Sequence, residues 1–179
     1  KLSAGEVVAS SAGGSTKTCG RSAIVDVAAH LTDFNVNQNS WMSSMLLYKA
    51  GFFGLSWDRT PFLDNKAAFQ RGIHVAVQRV STELVDSLGR VRGTSQIDTD
   101  LQKARGQLQY DTSSWYFGLA PLGFKQSSPS SYRVGMDALN SFNKRLETCT
   151  ATFDARADNL STFIDSVTNQ IGSTSSTLD

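Results

Sequence analysis

Three prolines and two histidines in 179 residues leave little to interrupt a helix and little from which to build a metal site. The two cysteines, Cys19 and Cys149, lie too far apart in sequence for a Cys-x-x-Cys redox or zinc motif. Two readings of them stand: one disulfide in an oxidising compartment, or two separate thiols with Cys149 as a small buried apolar residue. The second is favoured. His30 and His74 are expected as partly exposed helical residues, with no metal bound. Charge is also scarce. Charged residues make up 18% of the chain and the net charge is +1, so there is no basic footprint for nucleic acid. No run of about 18 apolar residues is present, which excludes a membrane span within this sequence. Nucleophile-elbow, zinc-protease, P-loop and dinucleotide fingerprints are all missing. No cofactor is expected.

What is present is a 40% apolar share, enough to argue against wholesale disorder, in a chain long enough for one cored domain. Residues 1–20 are rich in Gly, Ser, Ala and Thr and read as a flexible tether. The chain begins at Lys1 rather than Met, so an upstream segment is expected.

Helical spacing then recurs. Over 21–31, Ile24, Val25, Ala28 and Leu31 share a face, and Ser40 is a plausible cap for a short apolar stretch over 41–47. Over 63–88, Phe69, Ile73, Ala76, Val77, Val80, Leu84 and Leu88 form a stripe, with Gly72 marking a close helix crossing. Asp98 reads as the cap of a short helix ending near Tyr110. Pro129-Ser130 opens another, carrying Tyr132, Met136, Leu139, Phe142, Leu146 and Cys149. A last helix over 153–171 is lined by Phe153, Ala157, Leu160, Ile164, Val167 and Ile171. Two loops are aromatic-rich, one over 52–63 and one over 115–124. No period-2 alternation persists. The reading is all-α: a single-domain antiparallel helical bundle of about five helices over 21–179, with two aromatic-rich loops.

Candidate site residues come with competing explanations. Asp64 and Asn65 can cap the long helix or form a polar rim beneath the Trp57 loop; capping is favoured. Arg90 and Arg92, flanked by glycines, can hold an anion. Alternatively they balance a helix C-terminus and pair with Asp86, Asp98 or Asp100, which is the favoured reading. Asp154 and Asp158 are four apart on one helix face, Arg156 points toward a different neighbour, and Asn159 follows Asp158. They suit general acid–base chemistry only if burial separates their pKa values. A salt-bridge network reaching the Arg90–Arg92 turn is the favoured account. Trp41, Trp57, Trp115 and Tyr116 either touch lipid or, as favoured, plug the ends of the bundle. Gly72 and Ala76 form a small pair that permits self-association, so a homo-oligomer is left open.

The phrases Phe62-Leu63-Asp64-Asn65, Phe69-Gln70-Arg71-Gly72, Glu83-Leu84-Val85-Asp86, Gly89-Arg90-Val91-Arg92-Gly93-Thr94-Ser95 and Arg156-Ala157-Asp158-Asn159-Leu160 resemble, in order and spacing over 21–178, those of the bacterial family known as domain of unknown function 2333. The resemblance implies one transmembrane helix ahead of this sequence, a location at the bacterial inner membrane and a domain on its periplasmic side. It carries no catalytic residues over. The expected function is a non-enzymatic, membrane-tethered interaction or scaffold module of the envelope, with an unidentified protein partner. The competing reading is a small-molecule or envelope-polymer binding domain or a hydrolase. Its site would lie between the aromatic loops and the Arg90–Arg92 turn, with Asp154 and Asp158 as acid and base.

Overall fold

A computed structural model describes residues 19–45, 51, 60, 63–89, 97–119, 122–152 and 157–175. Five helices are present among them: α1 (Ala23–Asp33), α2 (Asp64–Glu83), α3 (Thr99–Leu108), α4 (Ser128–Glu147) and α5 (Ala157–Ser175). The chain is mostly helical, as the spacing of its apolar residues requires. A two-stranded antiparallel hairpin, β1 (Phe117–Leu119) and β2 (Leu122–Phe124), interrupts the second aromatic loop, where no strand is expected. Strands of three residues are too short to show an alternating pattern.

Local chemistry starts and stops these helices. The Asp98 carboxylate accepts from the Asp100 N–H, and the Ser127 hydroxyl accepts from the Ser130 N–H. Each side chain supplies an acceptor that a free helix N-terminus lacks. Asp64 begins α2, and its Oδ1 accepts from the Asn65 N–H at 2.7 Å. Ser40 has φ 51°, a left-handed turn geometry unlike the extended backbone of an N-cap.

Pairs of contacts fix the directions. The start of α4 meets the end of α3 through Tyr132 Oη and the Tyr110 carbonyl at 3.0 Å. The end of α4 meets the start of α3 through Arg145 and Asp98 at 2.6 Å. In the same way Arg133 reaches Asn37 and Asn143 reaches Ser22, setting α1 antiparallel to α4. Asp86–Arg105 and Gln78–Leu108 set α2 antiparallel to α3. Helix α4 is the hub, packed on both α1 and α3. Helix α5 lies against α2, where Ser166 joins Arg79 and Glu83.

Both α1 and α2 run on into a π-helical turn, Phe34–Gln38 and Leu84–Leu88. The wider turn brings neighbours inward together, so Leu84 and Val85 are both buried, as are Asn35 and Val36. The core gathers Val25, Leu84, Leu88, Leu101, Leu108, Tyr132, Leu139 and Phe142.

Several expected faces are rotated. Phe69 is 60% exposed and Ala76 lies on the surface, while Gln70, His74, Val77 and Ser81 face inward. On α5 it is Phe163 that is buried; Ile164 is 52% exposed. A Cβ at Gly72 would meet nothing within 4 Å, so no close crossing occurs there. The close crossing is at Gly135, where a Cβ would lie 2.8 Å from Leu108 Cγ.

Candidate functional site

The hairpin leaves aromatic side chains together on the described surface. Phe117 and Phe124 pair across it edge to face, ring centroids 5.9 Å apart. Phe124 is 92% exposed and Tyr116, just before β1, is 53% exposed. Trp115 is half-buried at its base. The aromatics of this loop thus stand out from the bundle, contrary to the expectation that Tyr116 plugs its end. Trp41 does plug it, and is buried.

The hairpin is mounted on a dense polar platform. The Lys125 N–H donates to the Tyr116 carbonyl at 2.8 Å, closing its base. The Ser128 N–H donates to the Ser114 carbonyl, and the Ser128 hydroxyl donates to the Asp111 carbonyl at 2.6 Å. Tyr110 Oη donates to the Gln126 carbonyl at 3.1 Å. The Ser114 hydroxyl donates to the Asp111 carboxylate at 2.8 Å. Beneath this, Tyr132 Oη donates to the Tyr110 carbonyl and Trp41 Nε1 to the Thr112 carbonyl at 2.8 Å.

Trp41 and Tyr132 belong to a buried three-ring cluster with His74. The His74 ring centroid lies 4.0 Å from that of Tyr132 and 5.2 Å from that of Trp41. Burial pushes the His74 pKa down to about 4; a hydrogen bond to the Leu108 backbone opposes this in part. His74 is therefore neutral at physiological pH and is not the partly exposed residue expected. Burial, and then the charge of Asp111, pushes the Tyr132 phenol up. One helical turn before His74, buried Gln70 donates to the carbonyls of Asn35, Asn39 and Ser40 and accepts from the Met42 N–H. Its own carbonyl accepts from Asn35 Nδ2. This amide straps the turn that delivers Trp41 to the cluster.

At the other end of the bundle, Arg145 donates to Asp98 at 2.6 Å and to Asp100 at 2.7 and 3.0 Å. The hydrogen bond to Asp98 leads in raising the Arg145 pKa, so the guanidinium is held charged. Asp98 and Asp100 thus bind Arg145, and Asp86 binds Arg105 at 3.1 Å. Cys19 and Cys149 are joined in a disulfide, Cα atoms 5.4 Å apart, and Cys149 is exposed. The separate-thiol reading, with Cys149 buried, is corrected.

Of the residues singled out from sequence, Trp57, Arg90, Arg92, Asp154 and Arg156 lie outside the described residues. Asp64 is half-buried in the first turn of α2, and Asn65 is exposed beside it. Asp158 is exposed at the start of α5, its carbonyl accepting from the Thr162 hydroxyl, and Asn159 follows it in the helix. Asp64 and Asn65 are joined by the hydrogen bond from the Asn65 N–H to Asp64 Oδ1, whereas Trp115 lies at the base of the hairpin and Asp158 on α5. Among the described residues no group of three or more His, Cys, Asp or Glu could hold a metal ion, and no helix is long and apolar enough to cross a membrane.

Gln70, His74 and Tyr132 escape a search for catalytic patterns because they read as ordinary members of amphipathic helices. The hairpin had a legible signal: the mirrored triplets Phe117-Gly118-Leu119 and Leu122-Gly123-Phe124 around Ala120-Pro121. Glycines at the paired central positions leave the aromatic ends free to meet across the strands.

No curated protein and no solved structure matches the chain. A family model described as an uncharacterised protein conserved in bacteria matches residues 23–179, which spans α1 through α5. The chain therefore belongs to the bacterial DUF2333 family.

Proposed function

We propose that this chain is a non-catalytic interaction module of the bacterial envelope, tethered to the inner membrane and facing the periplasm. Its aromatic hairpin is the surface offered to a protein partner. One observation carries this reading: Tyr116, Phe117 and Phe124 are exposed together on a hairpin whose base is held by hydrogen bonds to the bundle. Aromatic side chains are enriched at the centres of protein interfaces. Fully burying one phenyl ring contributes roughly 1.5–3 kcal/mol. A platform already ordered by Ser128, Tyr132 and Trp41 lowers the entropy lost on docking. The Cys19–Cys149 disulfide supports an oxidising compartment such as the periplasm.

Site-specific photocrosslinking in living cells tests the reading. The full-length protein carries the crosslinker at position 124 or, as a control, at exposed position 102 on α3. A discrete protein adduct is expected from 124 alone, and it should vanish when Tyr116 and Phe117 are both changed to Ser. Adducts with lipid only, or the same adducts from both positions, would overturn the docking reading. Substrate turnover that falls on Asp158→Asn would overturn its non-catalytic part.

A further inference from the structure

Helix α2 turns an apolar stripe to the surface on the side opposite His74. Phe69 is 60% exposed and Val75 is 48% exposed. Ala68, Gly72 and Ala76 are exposed alongside them, and a Cβ at Gly72 would meet nothing within 4 Å. An α-helix advances about 100° and about 1.5 Å per residue. With Gly72 at the centre, Phe69 and Ala76 therefore lie about 60° and about 40° to one side. Val75 and Ala68 lie about 60° and about 40° to the other. Each side carries one large and one small residue, placed at opposite ends of the stripe.

The two ends of the stripe carry opposite charges. Asp64, in the first turn of α2, accepts from the Asn65 N–H through Oδ1. Arg79, exposed at the other end, donates to Ser166 at 2.9 Å and lies 3.3 Å from Glu83, both through Nη2. Its Nε and Nη1 remain donors for a further carboxylate. Asp64 and Arg79 both fall on the Val75 side, about 12 Å and about 10 Å from Gly72 in opposite directions. A twofold axis through Gly72, at right angles to α2, exchanges the ends and keeps the sides. Phe69 then meets the partner's Ala76, and Val75 meets the partner's Ala68, large against small. Asp64 meets the partner's Arg79 at each end. A parallel pairing also sets large against small, but it brings Arg79 to the partner's Arg79 and Asp64 to the partner's Asp64. Charge therefore selects the antiparallel arrangement.

We infer that the outer face of α2 is a homodimer interface, through which two copies of this chain pair antiparallel and cross at Gly72. A twofold interface has to be self-complementary, and this stripe is so in both size and charge. Gly72 lets the two helix axes approach to about 8 Å. Phe69 and Val75 leave water on pairing, which drives association. The Asp64–Arg79 pairs at the rim fix direction and register. The stripe from Asn65 to Arg79 is about 21 Å long. One helix pair of that length buries less than a standard interface, so the dimer belongs to the weak class that forms in the micromolar range. This surface is separate from the aromatic hairpin, which stands on α3 and α4.

Sedimentation equilibrium of the full chain, from about 1 μM to about 1 mM, tests the pairing. The mass is expected to rise from one chain to two across this range. Phe69→Glu should hold it at one chain. Gly72→Ala, whose methyl pushes the two helices apart, should raise the dissociation constant roughly tenfold. Both positions are exposed, so both variants should keep the helical circular dichroism of the wild type; if Phe69→Glu unfolds, Gly72→Ala decides. Disulfide trapping reads the direction. A mixture of Ala68→Cys and Val75→Cys chains should give 68–75 adducts under mild oxidation, and neither variant alone should give any. A single-chain mass at every concentration, a dimer that survives both substitutions, or adducts formed as readily by either cysteine variant alone would each overturn the antiparallel pairing.

Discussion

The His74 and Tyr132 rings lie 4.0 Å apart, centroid to centroid, tilted by 39°, with Trp41 edge-on to both. A neutral imidazole between two aromatic rings is part of the core. Through Tyr132 and Trp41 the cluster fixes the carbonyls of Tyr110 and Thr112, on which the exposed hairpin stands.

That burial has a pH signature. The His74 pKa is held near 4, against 6.5 for the free side chain. Between those values the unfolded chain takes up a proton that the folded chain refuses. This contribution is complete above pH 6.5 and is lost as pH falls toward 4, by about 3 kcal/mol in all. Urea unfolding at pH 7, 5.5 and 4.5 should show wild type losing stability faster than His74→Gln. Parallel curves would remove His74 from the explanation.

Two helical glycines should respond oppositely to alanine. At Gly135 the new methyl meets fully buried Leu108 at 2.8 and 3.1 Å and the Ala104 carbonyl at 3.4 Å. Gly135→Ala is expected to cost about 1–3 kcal/mol by overpacking. Gly72→Ala meets open space within α2 and should stabilise by about 0.5–1 kcal/mol. Thermal melts of both variants check the pair, and equal effects would contradict the crossing at Gly135.

Removing Arg145 leaves the buried carboxylate of Asp98 and its neighbour Asp100 facing each other without a counter-charge. Arg145→Met should cost roughly 2–3 kcal/mol in urea unfolding. Arg145→Lys should restore only part of this, because one ammonium cannot reproduce the forked donation to two carboxylates. Full rescue by lysine would show that charge alone matters there.

Cys149 holds a left-handed backbone at φ 60°. Cys149→Gly and Cys149→Ser both delete the disulfide, but only glycine suits the turn. Glycine should leave the protein about 1 kcal/mol more stable than serine. Chemical denaturation of the two variants decides it; a serine variant at least as stable would mean the turn rearranges once the bond is gone.

The helices were legible because their causes are local. Asp98 and the Pro129-Ser130 pair announce helix starts by local chemistry, and apolar spacing at three and four residues marks α1 and α4. The faces of α2 and α5 were less legible. Phe69 looked like core and is exposed, while His74 was expected to be partly exposed and is buried, as is Gln70. Hydropathy sees only the transfer cost of each side chain. It does not see that Gln70 meets three carbonyls and an N–H in the turn after α1, which cancels that cost. The candidate site was half legible. The loop over 115–124 stood out as aromatic-rich, but its mirrored triplets are too short to be read as strands from periodicity alone.

Composition and spacing by themselves determined that this chain is helical, antiparallel by default, and without a recognised catalytic or metal pattern. These follow from interactions within a few residues along the chain. Tertiary structure alone decided that Cys19 meets Cys149 across 130 residues, that helices cross closely at Gly135 and not Gly72, and that Phe124 faces outward. Each depends on which distant surfaces meet, and a helix of given periodicity can satisfy its own backbone equally well with any face turned inward.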